Sequence, residues 1–313
     1  MTNSFTIEKN NRGRPALFQR NGMGNRVVGV SVVRTDTYAL RSPVETDKYL
    51  DPSAGVDGTG TEASPWNVFT NAKVSTLTAG QILWIKNGTF NWATCSTLAS
   101  GTASNRIKIA AYPGHTPVAT LSSSTVGFDS SYGFGATGAG CEYWDIVGIN
   151  FELAGRTGII FGASQWNNPE LTINHVRIID CIGNTTLSAS DNGGILFFDG
   201  NCDYWEVIRG AYRATGASGG TGTNRALIWA DYTDHMKIIG VILNATGTSI
   251  PFYYKHTNSR TIDQVDRVFK NNISIGGSRG NLFCGRFFQV INNVFSGALV
   301  NFGDQGGGSV DRG

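Results

Sequence analysis

Short apolar runs recur along most of this chain, and each run ends at a polar residue or a glycine. From Ile82 onward eight such runs can be aligned, and their central apolar residues lie 22 to 37 residues apart. A second apolar run precedes each of the later ones, so one period predicts at least two short strands and no helix. The aligned centres, which we expect to be buried in one stack, are Ile85, Ile109, Ile146, Ile178, Val207, Ile238, Val268 and Val290.

Repeats with this period restrict the architecture to a few classes, because periods of about 20–50 residues are typical of solenoids and propellers. A propeller blade would need about four strands per repeat, and a leucine-rich repeat would need leucine at fixed offsets. Neither pattern is present, which leaves a parallel β-helix whose coils stack about 4.8 Å apart. The pairs Asn271-Asn272 and Asn292-Asn293 occupy matching positions after two strands and predict a ladder of hydrogen-bonded turn asparagines.

Residues 49–90 carry a family likeness. They contain Gly58-Thr59, Pro65-Trp66 and the strand Ile82-Leu83-Trp84-Ile85 followed by Asn87-Gly88-Thr89-Phe90. This segment resembles the N-terminal signature of the pectate-lyase-like superfamily, although Gln81 stands where the family has aspartate.

The resemblance extends over about residues 46–300. It implies an all-β fold, a right-handed parallel β-helix solenoid with a short N-terminal capping helix, for which Ser64 would be the N-cap. The superfamily includes lyases, hydrolases, phage tail spikes and inert structural proteins, so the resemblance predicts the fold and leaves the function open.

Charge and composition divide the chain into three parts. Residues 1–45 hold seven basic and three acidic residues, whereas the whole chain of 313 residues has a net charge of only +2. The sequence therefore predicts an N-terminal attachment arm at 1–45, the parallel β-helix at 46–302 and a glycine-rich C-terminal tail at 303–313. The arm could equally be a solvated tail with a strand or two packed on the body.

Several function classes are disfavoured. The near-neutral charge argues against nucleic-acid binding, and no apolar run reaches the ~18 residues of a membrane span. The N-terminus lacks the basic and apolar regions of a secretion signal. No cofactor or metal site is predicted, because the five cysteines form no CxxC pair and are expected to be small core residues. These are Cys95, Cys141, Cys181, Cys202 and Cys284.

Charged residues follow the second apolar run of successive coils and give the candidate catalytic site. Asp199, Asp231, Lys255 and Arg286 would form a column along one edge of the solenoid if the coils are in register. By the resemblance, two carboxylates would suit a hydrolase and a basic residue would suit a lyase, with Ca²⁺ as a possible aid only in the lyase. A salt-bridged surface ladder is the alternative. The residues predicted to contact a sugar are Trp229, Tyr232, Tyr254 and His256.

The first functional hypothesis is a phage virion protein, namely a tail spike, tail fibre or surface appendage. It would be a homotrimer that joins other virion proteins through residues 1–45 and contacts host surface polysaccharide. The basic arm and the missing secretion signal motivate it. The alternative is an extracellular polysaccharide lyase or glycoside hydrolase acting on an acidic polysaccharide, and a third hypothesis is a capsid decoration protein. Whether the protein is an enzyme is left open by the sequence.

Overall fold

The computed structural model describes the strands and part of the turns. The described residues are 4–9, 15–20, 26–30, 38–95, 98–121, 132–134, 141–154, 159–161, 173–186, 193–199, 202–215, 225–231, 233, 235–246, 249–255, 266–277, 280–283, 288–297 and 300–302. For Asp199, Asp231 and Lys255 the description covers the backbone alone.

Three parallel sheets form the body of the protein within the described residues. The first sheet contains, in spatial order, Lys48–Leu50, Ile82–Ile85, Ile107–Ala111, Trp144–Val147, Arg177–Ile179, Glu206–Ile208, Lys237–Ile239, Arg267–Lys270 and Phe288–Ile291. The second contains Thr89–Asn91, Val118–Leu121, Asn150–Ala154, Ile182–Thr186, Ala211–Thr215, Ile242–Ala245, Ile273–Gly276 and Val294–Ser296. The third contains Tyr132–Phe134, Ile159–Phe161, Gly193–Asp199, Arg225–Asp231, Ile250–Lys255, Asn281–Phe283 and Val300–Phe302. From Ile107–Ala111 onward each coil adds one strand to each sheet, as in the predicted right-handed parallel β-helix solenoid.

The remaining elements are small. A short parallel sheet joins Cys141–Glu142, Ile173–Asn174 and Cys202–Asp203 at the corner between the third and first sheets. Ser4–Lys9, Pro15–Arg20 and Arg26–Val30 form a separate antiparallel sheet. The α-helix spans Asn71–Val74, and no helix in the described parts is long and apolar enough to cross a membrane.

An aliphatic column runs through the solenoid interior, as predicted. Ile146 pairs with Ile178, which pairs with Val207, and the column continues through Ile238. All four side chains are fully buried. The register corrects the two ends of the predicted stack. Leu83, rather than Ile85, pairs with Ile109, and Phe269, rather than Val268, occupies the column.

These two shifts have a simple cause. Four consecutive residues of Ile82–Ile85 are apolar and buried, and Leu83 and Ile85 both face the interior, so the sequence does not show which of these two pairs with Ile109. In Arg267–Lys270 the outward-facing residue Val268 is also apolar and pairs with Lys237. An apolar outward position is therefore indistinguishable from an inward one in the sequence.

A turn of two residues separates the first sheet from the second in every coil from Trp144–Val147 onward. Asp180, Arg209 and Asn271 have φ values of 53°, 55° and 56°, and Gly148 and Gly240 occupy the same position in their coils. This left-handed residue bends the chain sharply, so an apolar run such as 143–150 forms two strands in two sheets. Asp180 and Arg209 form an ion pair of 2.8 Å from one coil to the next.

The predicted asparagine ladder is present. Asn271 and Asn292 have left-handed φ values of 56° and 52°. Asn293 Oδ1 accepts a hydrogen bond from the Asn272 backbone N–H at 2.9 Å, and Asn272 Oδ1 accepts one from the Val241 N–H at 2.9 Å. In both cases a backbone N–H group is paired with a side-chain oxygen of the next coil. The ladder therefore fixes the register of the last three described coils.

The N-terminal end of the core is covered by a short helix and the extended segment before it, and the helix begins later than the sequence predicts. The helix begins at Asn71 and has Thr70 as its N-cap, so Ser64 is not the cap. Trp66 lies in an extended segment that bridges to Leu50. Trp66 and Phe69 nevertheless pack against the core cluster, where Phe69 stacks on Trp92 with ring centroids 4.8 Å apart.

Residues 38–45 of the predicted arm contact the β-helix. Tyr38 and Leu40 pack against an apolar cluster on the outer face of the first sheet. Arg41 pairs with the buried carboxylate of Asp47 at 2.5 Å, and Asp47 accepts a hydrogen bond from the Trp84 indole at 2.8 Å. The domain boundary at residue 45 stays a prediction, and the tail at 303–313 lies outside the described residues.

The predicted role of the cysteines is confirmed for the four that are described. Cys95, Cys141, Cys181 and Cys202 are all buried, and Cys284 lies outside the described residues. Burial raises the pKa of Cys141 and of Cys181 to about 12. Both thiols therefore remain protonated at neutral pH and act as small core side chains.

We predict that Ile238→Asp prevents folding. The carboxylate would lie in a closed aliphatic column without a partner, which costs several kcal/mol against a total stability of about 5–15 kcal/mol. Far-ultraviolet circular dichroism and thermal melting of the purified chain measure the loss. Lys237→Asp is the matched control, because Lys237 is the exposed neighbour on the same strand. A cooperative melt for Ile238→Asp near the wild-type temperature would contradict the column.

Candidate functional site

A row of left-handed residues lies at the corner that precedes the first sheet. Five residues, one per coil, have φ values between 50° and 60°, and they are Tyr143, His175, Tyr204, His235 and Asp266. A non-glycine residue rarely adopts this conformation, and here it recurs at the same position in successive coils. Because the coils are in register, their side chains form one column on the outside of the solenoid.

Four of these residues form a continuous stack of rings. The centroids of Tyr143 and His175 are 4.3 Å apart with an interplanar angle of 5°, and those of His175 and Tyr204 are 4.7 Å apart. Tyr204 and His235 continue the stack at 4.1 Å. The ring faces cover one another, so each interior ring has only its edge, with its hydroxyl or ring nitrogen, left for a ligand. Such contacts contribute about 0.5–1.5 kcal/mol each beyond burial.

A groove of about 330 Å³ lies beside the ring stack. Charged side chains of the first-sheet strands form its other wall, and Lys237 Nζ lies 2.9 Å from Glu206 Oε1. Tyr204 is 45% exposed at this surface. The lining consists of the rings His175, Tyr204 and His235, the basic residues Arg106, Arg177 and Lys237, and the acidic residues Glu206 and Asp266.

Asp145 anchors the basic side of the groove. Its carboxylate is fully buried, and Arg177 donates to both of its oxygens at 2.8 Å. Arg106 Nε donates at 2.6 Å, and the Tyr38 hydroxyl donates at 2.5 Å. Arg106 also donates to the backbone carbonyl of His175, beneath the ring stack. The guanidinium groups that line the groove are therefore held in fixed positions.

The burial and charge of this cluster shift the pKa values of Asp145, Tyr38 and His175, among others. Burial alone would raise the pKa of Asp145, but the hydrogen bond from Arg177 and the charges of both arginines outweigh it and hold the pKa below its usual value. Burial and the neighbouring carboxylate raise the pKa of the Tyr38 hydroxyl. Burial, together with the positive charge of Arg106, lowers the pKa of His175. At neutral pH we therefore expect an ionised Asp145, a protonated Tyr38 hydroxyl and an uncharged His175 ring.

The backbone brings three of the four predicted catalytic residues into one register position. Asp199 pairs with Asp231, and Asp231 pairs with Lys255, on neighbouring strands of the third sheet. Arg286 lies outside the described residues, as do Tyr232 and His256. The roles assigned to these residues stay predictions.

The two described residues predicted to contact a sugar are buried. Tyr254 has no exposed surface, and its hydroxyl donates to the Thr233 carbonyl at 2.7 Å. Trp229 is 6% exposed and lies between Phe197 and Tyr253, with centroids 5.7 Å and 5.3 Å away. In this conformation both rings pack against protein, so stacking on a sugar would require them to become exposed.

The predicted column and the groove are close along the chain. Asp199 precedes Tyr204 by five residues, and Asp231 precedes His235 by four. The third sheet thus ends at the corner where the ring stack begins. A ligand in the groove would lie next to the carboxyl end of the third sheet, where the sequence places Asp199 and Asp231.

The ring stack was missed by sequence reasoning, although a signal for it exists. Four of the aligned runs begin with an aromatic or histidine residue one or two positions before the first-sheet strand, as in Tyr143-Trp144 and His235-Met236. Sequence reasoning also missed the charged residues of the first-sheet strands. They alternate with apolar residues, which is the pattern of any sheet with one face in solvent. Among the described residues no three His, Cys, Asp or Glu side chains come together as a metal site.

We predict that Asp145→Asn lowers the stability and reduces its acid dependence. The amide would leave Arg106 and Arg177 partly buried without a counter-charge, at a cost of about 3 kcal/mol. Because the folded-state pKa of Asp145 is lowered, its contribution is present above the unfolded value near 3.8 and is lost as the pH falls through the folded value.

Urea unfolding at neutral pH and at about pH 3 measures both effects. The wild-type free energy of unfolding should fall more steeply between these conditions than that of Asp145→Asn. Glu152→Gln is the control, because Glu152 is an exposed carboxylate on the second sheet. Equal acid dependence in the wild type and Asp145→Asn would contradict this assignment.

This chain is similar to several solved structures, among them a rhamnogalacturonan lyase, a pectate lyase and an alginate lyase. A rhamnogalacturonan lyase aligns with 80% of this chain and 74% of its own length, at 12% identity and a TM-score of 0.50. Pectate lyase Pel9A aligns over 85% of this chain and 82% of its own, at 11% identity and a TM-score of 0.40. An alginate lyase from Paenibacillus sp. str. FPU-7 aligns over 74% and 97%, at 14% identity and a TM-score of 0.33.

At sequence identities of 11–14%, these similarities show a shared fold alone. No protein-family model matches the chain, and no curated protein matches its sequence. The sheet order, the coil register and the likeness to the rhamnogalacturonan lyase agree with one another. The chain therefore has the parallel β-helix fold of pectate-lyase-like proteins.

Proposed function

We propose that this protein binds a polysaccharide in the groove beside the ring stack. The observation that carries the proposal is the length of this surface, because the four stacked rings come from four successive coils. With coils about 4.8 Å apart, the stack extends over about 14 Å along the solenoid axis. A surface of this shape fits an extended chain of sugars better than a compact metabolite.

The chemistry of the lining also suits a sugar polymer. Tyr204 and the two histidines present hydroxyl and ring-nitrogen edges, and Glu206 and Asp266 present acceptors for sugar hydroxyls. Arg177 and Lys237 can donate charge-assisted hydrogen bonds to a carboxylate on the sugar. The ligand class we propose is therefore an acidic polysaccharide.

For the biological setting we keep the hypothesis drawn from the sequence, a phage tail spike, fibre or surface appendage that contacts host glycans. Its support is the basic segment 1–45, whose first 30 residues contain a separate antiparallel sheet. The virion location, the homotrimer and a capsid decoration role all remain hypotheses. The genes that neighbour this one test the virion location and the capsid decoration role, and a locus without phage structural genes would count against both.

A polysaccharide lyase or glycoside hydrolase is the second candidate. The fold shared with a rhamnogalacturonan lyase favours it, as does the common register position of Asp199, Asp231 and Lys255. Two carboxylates could act as acid and base in hydrolysis. Lys255 or Arg286 could instead remove a proton next to a uronate carboxylate, with elimination of the glycosidic oxygen.

We predict that Tyr204→Ala and Lys237→Gln each weaken binding of an acidic polysaccharide by about 10-fold, the effect of losing about 1.4 kcal/mol. Calorimetric titration with polygalacturonate, rhamnogalacturonan, alginate and a panel of bacterial capsular polysaccharides measures the affinity. Arg213→Gln is the charge-matched control, because Arg213 is exposed on the second sheet away from the groove. Equal affinities for all three variants would place the binding surface elsewhere.

We predict that Asp231→Asn and Lys255→Ala abolish sugar release if the second candidate is right, with little change in melting temperature. The measurements are the release of unsaturated uronate, which reports a lyase, and of reducing ends, which report a hydrolase. Each assay is run with and without added Ca²⁺. Product release that persists in both variants would exclude the column as the catalytic site. Binding without release by the wild type would exclude the enzyme and leave the binding proposal intact.

A further inference from the structure

Both walls of the groove repeat every second coil. In the ring stack, tyrosine alternates with histidine from one coil to the next, and the rings are, in spatial order, Tyr143, His175, Tyr204 and His235. Two positions after each ring, the first sheet carries a charged residue whose sign alternates in step with the rings. These charged residues are, in the same order, Asp145, Arg177, Glu206 and Lys237.

The strand register places the four charged residues in one column. Asp145 pairs with Arg177, which pairs with Glu206, and Glu206 pairs with Lys237. Neighbours of opposite sign form ion pairs, with Arg177 Nη2 2.8 Å from Asp145 Oδ2 and Lys237 Nζ 2.9 Å from Glu206 Oε1. The next member of the column is Val268, where the alternation ends. A coil with a tyrosine therefore carries an acidic residue, and a coil with a histidine carries a basic one.

Stability accounts for the alternating charges but not for the alternating rings. Like charges opposite each other on neighbouring strands are destabilising, so a ladder of alternating sign needs no ligand to explain it. Tyrosine and histidine, however, stack face to face in any order, and an uncharged ring requires no particular charge two positions later. The matched alternation of rings and charges therefore indicates a ligand with the same two-coil repeat.

Within the groove the repeat separates two basic side chains by one acidic side chain. The backbones of Arg177 and Lys237 are two coil steps apart, about 9.6 Å along the solenoid axis. Arginine has five N–H donors and lysine has three, so both have donors beyond those that they give to the neighbouring carboxylate. Between them, Glu206 accepts hydrogen bonds from hydroxyl groups and repels a carboxylate. Tyr204, in the same coil as Glu206, is 45% exposed.

We propose that the groove recognises an acidic polysaccharide in which carboxylated and uncharged sugars alternate. One sugar of an extended chain is similar in length to one coil step, so a disaccharide repeat spans two coils. In that register the carboxylates face Arg177 and Lys237, and the uncharged sugar between them faces Glu206. A polymer with a carboxylate on every sugar would place one of them against Glu206. This inference rests on the proposed glycan binding and specifies its ligand.

The test compares alternating with uniformly charged polymers by calorimetric titration at equal uronate concentration and equal salt. Hyaluronan and unsulfated chondroitin are the alternating polymers, and polygalacturonate and polymannuronate carry a carboxylate on every sugar. We expect the tighter-binding alternating polymer to bind the wild type about 10-fold more tightly than either uniformly charged polymer. Attraction by charge density alone predicts the opposite order, because the uniformly charged polymers hold about twice as many carboxylates per unit length.

Variants of Glu206 test the residue to which the proposal assigns the discrimination. Glu206→Lys should raise the affinity for the uniformly charged polymers by about 10-fold, because three successive coils would then carry a basic residue. Glu206→Gln adds no charge and should reduce the preference for the alternating polymers to about 3-fold or less. Glu152→Lys is the matched control, because it makes the same charge change on an exposed residue of the second sheet. Circular dichroism checks that each variant is folded.

Three results would overturn the inference. They are equal or tighter binding of a uniformly charged polymer by the wild type, binding of neither alternating polymer, and a preference that both Glu206 variants leave unchanged. If the wild type still binds an acidic polysaccharide in any of these cases, the proposed glycan binding stands and only the alternating ligand is wrong. Failure to bind any of the acidic polysaccharides tested would overturn the proposed function as well.

Discussion

Parallel pairing in strict register between successive coils is the constraint on which this structure depends. Because each coil repeats the path of the one before, equivalent positions in successive coils form a column. Neighbouring members of such a column are about 4.8 Å apart along the solenoid axis. Inside, the column is aliphatic, as at Ile146, Ile178 and Val207. At the turn it is polar, and the side-chain amides of Asn272 and Asn293 satisfy the backbone from coil to coil.

The same constraint produces the surface on which the functional proposal rests. Left-handed residues at one corner repeat in five coils, so their side chains stack although they are far apart in sequence. The rings stabilise the corner by covering one another and leave their edges to line the groove. If the proposed binding takes place here, stability and recognition use the same side chains in different directions.

The buried carboxylate of Asp145 connects the groove to the rest of the fold. It holds Arg106 and Arg177 at the groove wall and accepts a hydrogen bond from Tyr38, which precedes the first coil. Tyr38 therefore joins the N-terminal segment to the basic side of the groove.

The amino-acid sequence determined the architecture, because the architecture is a repeat and repeats are visible as periodic apolar runs. It identified the interior column at Ile109, Ile146, Ile178, Val207 and Ile238, and the asparagine ladder. It also put Asp199, Asp231 and Lys255 at a common position, which the strand register reproduces.

Three features depended on the folded chain. The turns at Asp180 and Arg209 use a left-handed backbone that neither side chain favours, so inter-coil pairing had to impose it. The ring stack joins residues about 30 positions apart, a contact that local propensity does not encode. The burial of Trp229 and Tyr254 was set by packing between coils, since an apolar ring at a strand position looks the same in sequence whether it faces protein or solvent.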